Sequence, residues 1–486
     1  MLFRLGPGAG SSPQPGIGDT GGAIGATESR IRAKFGAATL PPVHRLLQAL
    51  RVLAKTSGMD ADGSPLVRNA ELDSRAWGRT RAVTLLAPDN FHLLLNPRAA
   101  RTAGYAEDGR DAILGRDAFA AAKREITSWP GYAPTPLRSL KGLATAAGLG
   151  DLLYKDEAGR FGLGSFKALG GAYAVLRLLQ QELDAPVTAA ELASGRYADR
   201  VAGITVTCAT DGNHGRSVAW GASLFGCACK IYVHETVSPG RCAAIARYGA
   251  EIRRVAGNYD DAVRRAAADA AAEGWHVVSD TSYEGYTDIP RNVMQGYALM
   301  VDEALDQLPD GTLPTHVFVQ GGVGGLAAAV CAHLWERFGA NRPRFVVVEP
   351  DKADCLYRSA SAGHPVAVEG ALDTIMAGLA CGEVSLLAWR ILDPGADAFM
   401  TIGDDDAAKT MRLLAAGAEG DPPLVGGESA VPGLAACLLA AGDELVRDRL
   451  GLNAQSVVLV FGTEGATDPA IYRSIVGRSP EEVMGA

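Results

Sequence analysis

Apolar and polar residues alternate in a regular way from about Leu93 to the end of the chain. Short, nearly continuous apolar runs rich in β-branched residues are separated by alanine-rich segments with helical periodicity. Such strands are typical of a parallel sheet that helices cover on both faces. The pattern therefore predicts an α/β fold with doubly wound open sheets. The predicted strands span residues 201–208, 230–234, 251–255, 275–279, 315–319, 344–348 and 456–461, and the predicted helices span 215–225, 238–248, 259–273 and 326–338.

The first 92 residues follow a different pattern. Residues 6–27 are rich in Gly, Pro and Ser, so we expect them to be flexible. Leucines at helical spacing predict one helix within residues 43–55. Up to about Pro88 the sequence offers no candidate chemistry, and residues 1–92 are predicted to form an N-terminal extension.

The composition narrows the class of protein. Of the 486 residues, 48% are hydrophobic and 21% are charged, which is ordinary for a globular protein with a large core. The net charge of -9 favours neither nucleic acid nor an anionic membrane as a partner, and no apolar run approaches the ~20 residues of a membrane helix. The eight cysteines are scattered, which indicates reduced thiols in a cytoplasmic protein and no metal site.

Lys167 is the most informative single residue. It follows Phe166 and has glycines on both sides, at positions 162, 164, 170 and 171. Burial against a ring and close-packed backbone favours the neutral form of such an amine. A neutral lysine can attack an aldehyde and form a Schiff base. The spacing of Ser165 and Lys167 also leaves open a Ser–Lys hydrolase dyad.

A glycine-rich loop follows the predicted strand 315–319 and precedes the predicted helix 326–338. Glycines let successive N–H groups turn towards one point, and the helix N-terminus adds positive potential, so the loop could hold a phosphate. It lacks the dinucleotide fingerprint and a Walker lysine, which argues against a nucleotide-binding regulator. A turn without a ligand is the alternative. The loop consists of Gly321, Gly322, Val323, Gly324 and Gly325.

Three further loops stand at the ends of predicted strands. The loop from Thr210 to Asn213 could hold a carboxylate with its N–H groups at the start of the next helix. Asp280 could bind a substrate ammonium, although an isolated acid at a strand end is more often a helix cap. The hydroxyl of Thr463 could face an aromatic nitrogen. An amine for an aldehyde and a loop for a phosphate together predict an enzyme that uses pyridoxal 5'-phosphate (PLP).

The same segments, in the same order, resemble the fold-type II (tryptophan synthase β-like) PLP enzymes, and among them they look most like the diaminopropionate ammonia-lyases. The resemblance runs from about Thr127 to the C-terminus. One difference is Gly462, which stands where serine is usual. The motifs that carry the resemblance are residues 130–137, 155–157, 160–163, 209–216, 283–286, 294–297 and 376–383.

The resemblance implies how the cofactor would be held. Lys167 would be the Schiff-base lysine, and Asn213 would bond the phenolic oxygen of the ring. The loop 321–325 would bind the phosphate. Thr463 would face the pyridine nitrogen.

It also implies a substrate. The expected reaction is the α,β-elimination of ammonia from 2,3-diaminopropionate, which gives pyruvate and two molecules of ammonia. Lys167 would take the Cα proton of the L isomer, and Asp211 that of the D isomer. Asp280 would neutralise the β-ammonium, while Thr210 and Asp211 would contact the substrate. A serine or threonine dehydratase, or a β-replacement synthase, remains the alternative on the same fold.

The resemblance further implies two domains with the cofactor in the cleft between them. The small domain would span residues 168–306. The large domain would combine residues 93–167 and 307–486. A homodimer without a metal is expected.

Overall fold

The structure, a computed structural model, describes residues 91–184, 186–210 and 212–485. The flexible segment and the helix predicted in the N-terminal extension lie outside the described residues, and so does Asp211. The fold class is confirmed, since the described chain is a mixed α/β structure with two sheets. Its strands are β1 His92–Leu95, β2 Leu137–Ser139, β3 Asp151–Asp156, β4 Thr205–Ala209, β5 Ala228–His234, β6 Glu251–Val255, β7 His276–Val277, β8 His316–Gln320, β9 Arg344–Pro350, β10 Ala398–Ile402 and β11 Val457–Gly462.

The larger sheet has seven strands in the order β1-β10-β9-β8-β11-β3-β2. The five central strands are parallel to one another, while β1 and β2 pair antiparallel with β10 and β3 at the two edges. The smaller sheet is parallel, with the order β6-β5-β4-β7. It lies wholly within the predicted small domain, whose boundaries remain a prediction.

Helices separate most of these strands. The four predicted helices are all present, with ends shifted by no more than two residues. The helices are α1 Arg116–Thr127, α2 Lys141–Ala146, α3 Lys167–Glu182, α4 Ala189–Ala193, α5 Ala198–Val201, α6 Asn213–Phe225, α7 Pro239–Ala246, α8 Tyr259–Glu273, α9 Asp288–Asp306, α10 Gly325–Phe338, α11 Cys355–Ala362, α12 Leu386–Gly395, α13 Asp404–Ala416, α14 Pro432–Gly442, α15 Glu444–Leu450, α16 Pro469–Val476 and α17 Pro480–Met484.

The predicted strand 201–208 is wrong at its start. Val201 ends the short helix α5, and the N–H of Ile204 closes a turn on the carbonyl of Val201, with Gly203 inside that turn. The strand therefore begins only at Thr205. The predicted strand 275–279 is also shorter, because only His276 and Val277 pair with β4.

The core reflects the apolar runs. All five residues of β8 and of β10 are buried, as expected of strands with helices on both faces. Helix α14 lies against this sheet and is buried on all sides, with every residue from Pro432 to Ala441 out of solvent. No helix in the described part of the chain is both long and apolar enough to cross a membrane.

The topology gathers the candidate residues at the carboxyl ends of parallel strands, where open α/β sheets bind their ligands. Gln320 ends β8 and leads into the glycine loop, and Gly462 ends β11 immediately before Thr463. In the smaller sheet, β4 ends just before Thr210, and β7 ends three residues before Asp280.

Candidate active site

Lys167 is the first residue of α3, and its ammonium lies against Asp280. The distance from Lys167 Nζ to Asp280 Oδ2 is 2.6 Å. The two side chains are 21% and 18% exposed, so the pair is partly accessible to solvent. Two residues that the sequence placed in one site are therefore in direct contact.

The charges of this pair depend on each other. Burial lowers the pKa of Lys167, but the negative charge of Asp280 and the hydrogen bond to it raise that pKa more, so it ends above its usual value. Burial raises the pKa of Asp280, but the charge of Lys167 and the hydrogen bond from it hold that pKa below its usual range. The contact with Asp280 thus favours the ammonium form of Lys167, whereas the sequence argument from burial alone favoured a neutral amine.

His214 lies on the other side of Asp280. Its Nε2 is 2.8 Å from the carbonyl oxygen of Val278, which can only accept, so Nε2 carries the hydrogen. Its Nδ1 is buried, is 3.8 Å from Asp280 Oδ2 and has no hydrogen-bond partner among the described residues. Burial is the main reason that the pKa of His214 is below its usual value.

Aromatic rings form a wall beside the lysine. Lys167 Nζ lies 5.5 Å from the ring centre of Phe166 and 5.7 Å from that of Tyr297, and these two rings are 4.6 Å apart. Gly170 makes this packing possible, because a Cβ there would lie 2.3 Å from Tyr297 Cε1. Gly170 thus lets α3 pack closely against Tyr297 on α9.

The glycine loop joins β8 to α10 as predicted. Gly322 and Gly324 have φ values of 60° and 97°, which favour glycine. A Cβ at Gly321 would lie 2.8 Å from Leu356. Within the described chain, the N–H groups of Gly322, Val323 and Gly325 have no acceptor. Three unpaired donors at a helix N-terminus suit a phosphate.

Thr463 lies on a buried polar network at the end of β11. Its hydroxyl accepts a hydrogen bond from Gln320 Nε2 at 2.7 Å and donates to the carbonyl oxygen of Ser429 at 3.2 Å. Its own carbonyl accepts from the N–H of Phe166 at 3.0 Å. This last bond, with one from Gly465 N–H to Gly164 O at 3.0 Å, fixes the Lys167 segment to the end of the larger sheet.

Asn213 opens α6, and its side-chain amide donates to the carboxyl group of Glu464. Glu464 also accepts from the N–H of Ser429 at 3.1 Å. Burial raises the pKa of Glu464, and burial together with the charge of Glu464 raises the pKa of Glu428 to about 7. Arg241 lies 3.0 Å from Glu428, and the charges of Arg241 and Arg216 offset part of the rise in the pKa of Glu464.

Thr210 has a structural part in this region. Its hydroxyl accepts hydrogen bonds from the N–H groups of Gly212 at 3.0 Å and Gly215 at 3.1 Å, and its own N–H donates to Tyr232 O at 3.0 Å. These bonds hold the start of α6. Its predicted contact with substrate, like the role of Asp211, stays a prediction.

The packing of Tyr154 explains why glycine stands at position 462. Tyr154 on β3 is buried, and a Cβ at Gly462 would lie 2.0 Å from its Cζ and its Oη. The phenol therefore fills the space that a serine side chain at position 462 would need.

Known proteins agree with this geometry. A family model described as pyridoxal-phosphate dependent enzyme matches residues 128–462. Diaminopropionate ammonia-lyase from Escherichia coli K12 is 44% identical over 352 residues, which cover 71% of this chain and 88% of that protein. The protein of the same name from Salmonella typhimurium is 41% identical over 363 residues, covering 72% and 90%. The chain belongs to the diaminopropionate ammonia-lyase family of PLP-dependent enzymes.

The fold agrees as well. A crystal structure of diaminopropionate ammonia-lyase from Escherichia coli in complex with D-serine matches with a TM-score of 0.72 at 38% identity, covering 80% of this chain and 97% of that one. PLP is thus the cofactor of this family member. The residues present fit it, because the N–H groups at the start of α10 that are unpaired among the described residues suit its phosphate, and the bond from Phe166 N–H to Thr463 O holds the Lys167 segment at the end of β11.

The sequence predicted the main site residues of this ammonia-lyase family member, but it did not predict several residues that contact them. It assigned no role to His214, although this residue stands in a quoted motif directly after Asn213. It also missed Glu464 and Gln320, each adjacent in sequence to a residue that was named. Each of these contacts joins residues more than 60 positions apart, so no local sequence pattern predicts them.

Proposed function

We propose that this chain eliminates ammonia from 2,3-diaminopropionate and yields pyruvate and two molecules of ammonia. The observation that carries the proposal is the contact of Asp280 with an ammonium at 2.6 Å in a partly open site. A carboxylate that already binds one ammonium suits the β-ammonium of such a substrate. The sequence relatives named above support the same reaction.

PLP, when bound, supplies an electron sink for the charge left at Cα. The roles proposed for the chain follow from its contacts. The N–H groups of Gly322, Val323 and Gly325 would hold the phosphate. Asn213 would bond the ring oxygen while Glu464 holds its amide, and Thr463 would face the pyridine nitrogen from its place on Gln320.

Asp280 changes partners in this proposal. Lys167 must lose its proton before it can act as a nucleophile or a base, and its contact with Asp280 opposes that loss. Bonded to the cofactor, Lys167 would carry no free ammonium, so Asp280 would be left to contact the β-ammonium of the substrate. Lys167 would then take the Cα proton of the L isomer, and Asp211 that of the D isomer. Water converts the unsaturated product to pyruvate and the second ammonia.

The Ser–Lys hydrolase alternative loses its support from the geometry. A lysine that is held as an ammonium by a carboxylate is a poor base for a serine. One observation supports the dehydratase alternative, because a related enzyme has been crystallised with D-serine.

The experiment is a substrate panel on the purified holoenzyme. We expect pyruvate release from diaminopropionate with a kcat/KM well above those for D-serine, L-serine and threonine. A higher kcat/KM for a hydroxyl substrate would overturn the substrate while leaving the cofactor in place. A colourless protein that stays inert after addition of PLP would contradict the lysine assignment.

We also propose a homodimer in the cytoplasm. No disulfide joins the eight cysteines, all of which lie in the described part of the chain, and this supports a reducing compartment. Sedimentation equilibrium would measure the mass of the assembly, and cell fractionation would locate it. A monomer, or recovery from an oxidising compartment, would contradict the respective half of the proposal.

A further inference from the structure

His214 places an unused acceptor beside the carboxylate that is proposed to receive the β-ammonium. Its Nδ1 is buried and has no hydrogen-bond partner among the described residues. The Val278 carbonyl fixes the hydrogen on Nε2, so Nδ1 of the neutral ring presents a lone pair. A buried polar atom without a partner carries a free-energy cost, and a site that retains one calls for an explanation.

The distance between the two acceptors gives that explanation. His214 Nδ1 and Asp280 Oδ2 are 3.8 Å apart, which lets both lie within hydrogen-bond distance of one nitrogen. The Lys167 ammonium donates to Asp280, and His214 Nδ1 receives no hydrogen bond from it. An ammonium has three hydrogens and can donate to both acceptors.

We propose that His214 is a specificity residue, whose Nδ1 accepts a hydrogen bond from the β-ammonium of the substrate that Asp280 neutralises. This inference rests on the proposed function. It adds a second acceptor to a site in which the carboxylate alone was expected to select the substrate.

The pair of acceptors discriminates against hydroxyl substrates. The β-hydroxyl of serine has one hydrogen and can donate to only one acceptor, so the other stays unpaired in a buried site. A site built to accept several hydrogen bonds rejects an analogue that cannot donate them. The lowered pKa of His214 helps, since the neutral ring is an acceptor at Nδ1 whereas the protonated ring would repel the ammonium. Asp280 and Lys167 are the charged groups that act on this ring.

Two substitutions at position 214 test the Nε2–H donor and the Nδ1 acceptor of the ring separately. Gln can replace the Nε2–H donor to Val278 but leaves no acceptor at the place of Nδ1, whereas Asn can put its amide oxygen near that place. We expect His214→Gln to lower the ratio of kcat/KM for diaminopropionate to that for D-serine by about tenfold or more. We expect His214→Asn to keep most of the wild-type ratio.

Equal losses on both substrates in His214→Gln, or the same ratio in both variants, would overturn the inference and leave a packing role only. Failure of the proposed function is distinguishable, because it would already show in the wild-type enzyme as a preference for hydroxyl substrates. A second measurement does not need the variants to be active. In ¹⁵N spectra of the wild-type holoenzyme at neutral pH, His214 should be neutral with its hydrogen on Nε2, and a hydrogen on Nδ1 would overturn the inference.

Discussion

Two lysine–carboxylate pairs in this chain differ in nearly every respect. Lys155 and Glu303 lie 2.9 Å apart and are almost completely buried, while Lys167 and Asp280 lie 2.6 Å apart and are partly exposed. The Lys155 ammonium also donates to Thr135 O at 2.6 Å and to the side chain of Gln307 at 3.0 Å. Among the described residues, the Lys167 ammonium has one acceptor by distance and angle, which is Asp280.

The pKa values follow this difference. Burial lowers the pKa of Lys155, and the charges of Glu303 and Glu157 offset it only in part. The pKa of Lys167 is raised instead, because Asp280 outweighs burial. Arg160 completes the first pair with bonds to Glu303 at 2.7 and 2.8 Å. A closed network in which every donor is used stabilises a fold, whereas an open pair with one bond can exchange partners.

The largest expected effect is on the open pair. Lys167→Met should reduce kcat by roughly 10²–10⁴-fold or more, because it removes the proposed nucleophile and base. The free energy of unfolding, measured on cofactor-free protein, should change far less than in the matched variant Lys155→Met. Pyruvate release and denaturant unfolding of the two variants provide the measurement. A kcat of Lys167→Met close to that of the wild type would show that the open pair does not serve catalysis.

The second effect is on the closed pair. Lys155→Met leaves Glu303 and Glu157 with one buried cation fewer, and breaking such a network costs about 3–5 kcal/mol of stability. The kcat of the folded fraction should stay near the wild-type value. Urea unfolding measures the loss of stability, and the amount of bound cofactor gives the folded fraction to which kcat is referred. An unchanged midpoint would mean that the network is not structural.

A smaller effect is expected from neutralising Asp280. Asp280→Asn keeps the shape of the side chain but removes its charge, so the preference for diaminopropionate over serine should fall by roughly 10–100-fold, the range of a charged hydrogen bond in a buried site. The ratio of the two kcat/KM values is the measurement, with Asp302→Asn as a control for a buried acid elsewhere. An unchanged ratio would remove Asp280 from substrate recognition.

The last prediction concerns the pH dependence of stability at Glu349, a buried carboxyl group that accepts N–H bonds from Leu356 and Tyr357. Burial raises its pKa to about 8. The folded state therefore keeps a proton that the unfolded state releases, so this group contributes stability below about pH 4.5 that is lost as the pH rises towards 8. The stability of the wild type relative to Glu349→Gln should fall between pH 5 and pH 8. A difference independent of pH, from unfolding curves at several pH values, would contradict the assignment.

The sequence predicted the fold class because short, nearly continuous apolar runs separated by alanine-rich helical segments indicate strands that are buried on both faces of a sheet. It missed α14, since a helix that is apolar on all sides has no amphipathic period. It also missed β3, where Lys155 and Asp156 interrupt the apolar run, because the partners that allow Lys155 to be buried lie far along the chain.

The candidate site shows the same limit. The sequence placed Lys167 and Asp280 in one site through the resemblance, and the structure brings their side chains to 2.6 Å. It did not predict the ammonium form of Lys167, which depends on a contact across 113 positions. The free Nδ1 of His214 depends in turn on a carbonyl 64 positions away.

The phenol of Tyr154 against Gly462 constrains how this chain can change. A serine at position 462 cannot be introduced first, because its Cβ would overlap the ring, whereas a smaller residue at position 154 can be introduced alone and leaves a cavity. The two positions are therefore coupled, and a substitution harmless in one background is disruptive in the other. The order of mutation, rather than the chemistry of the final pair, decides which variants can be reached.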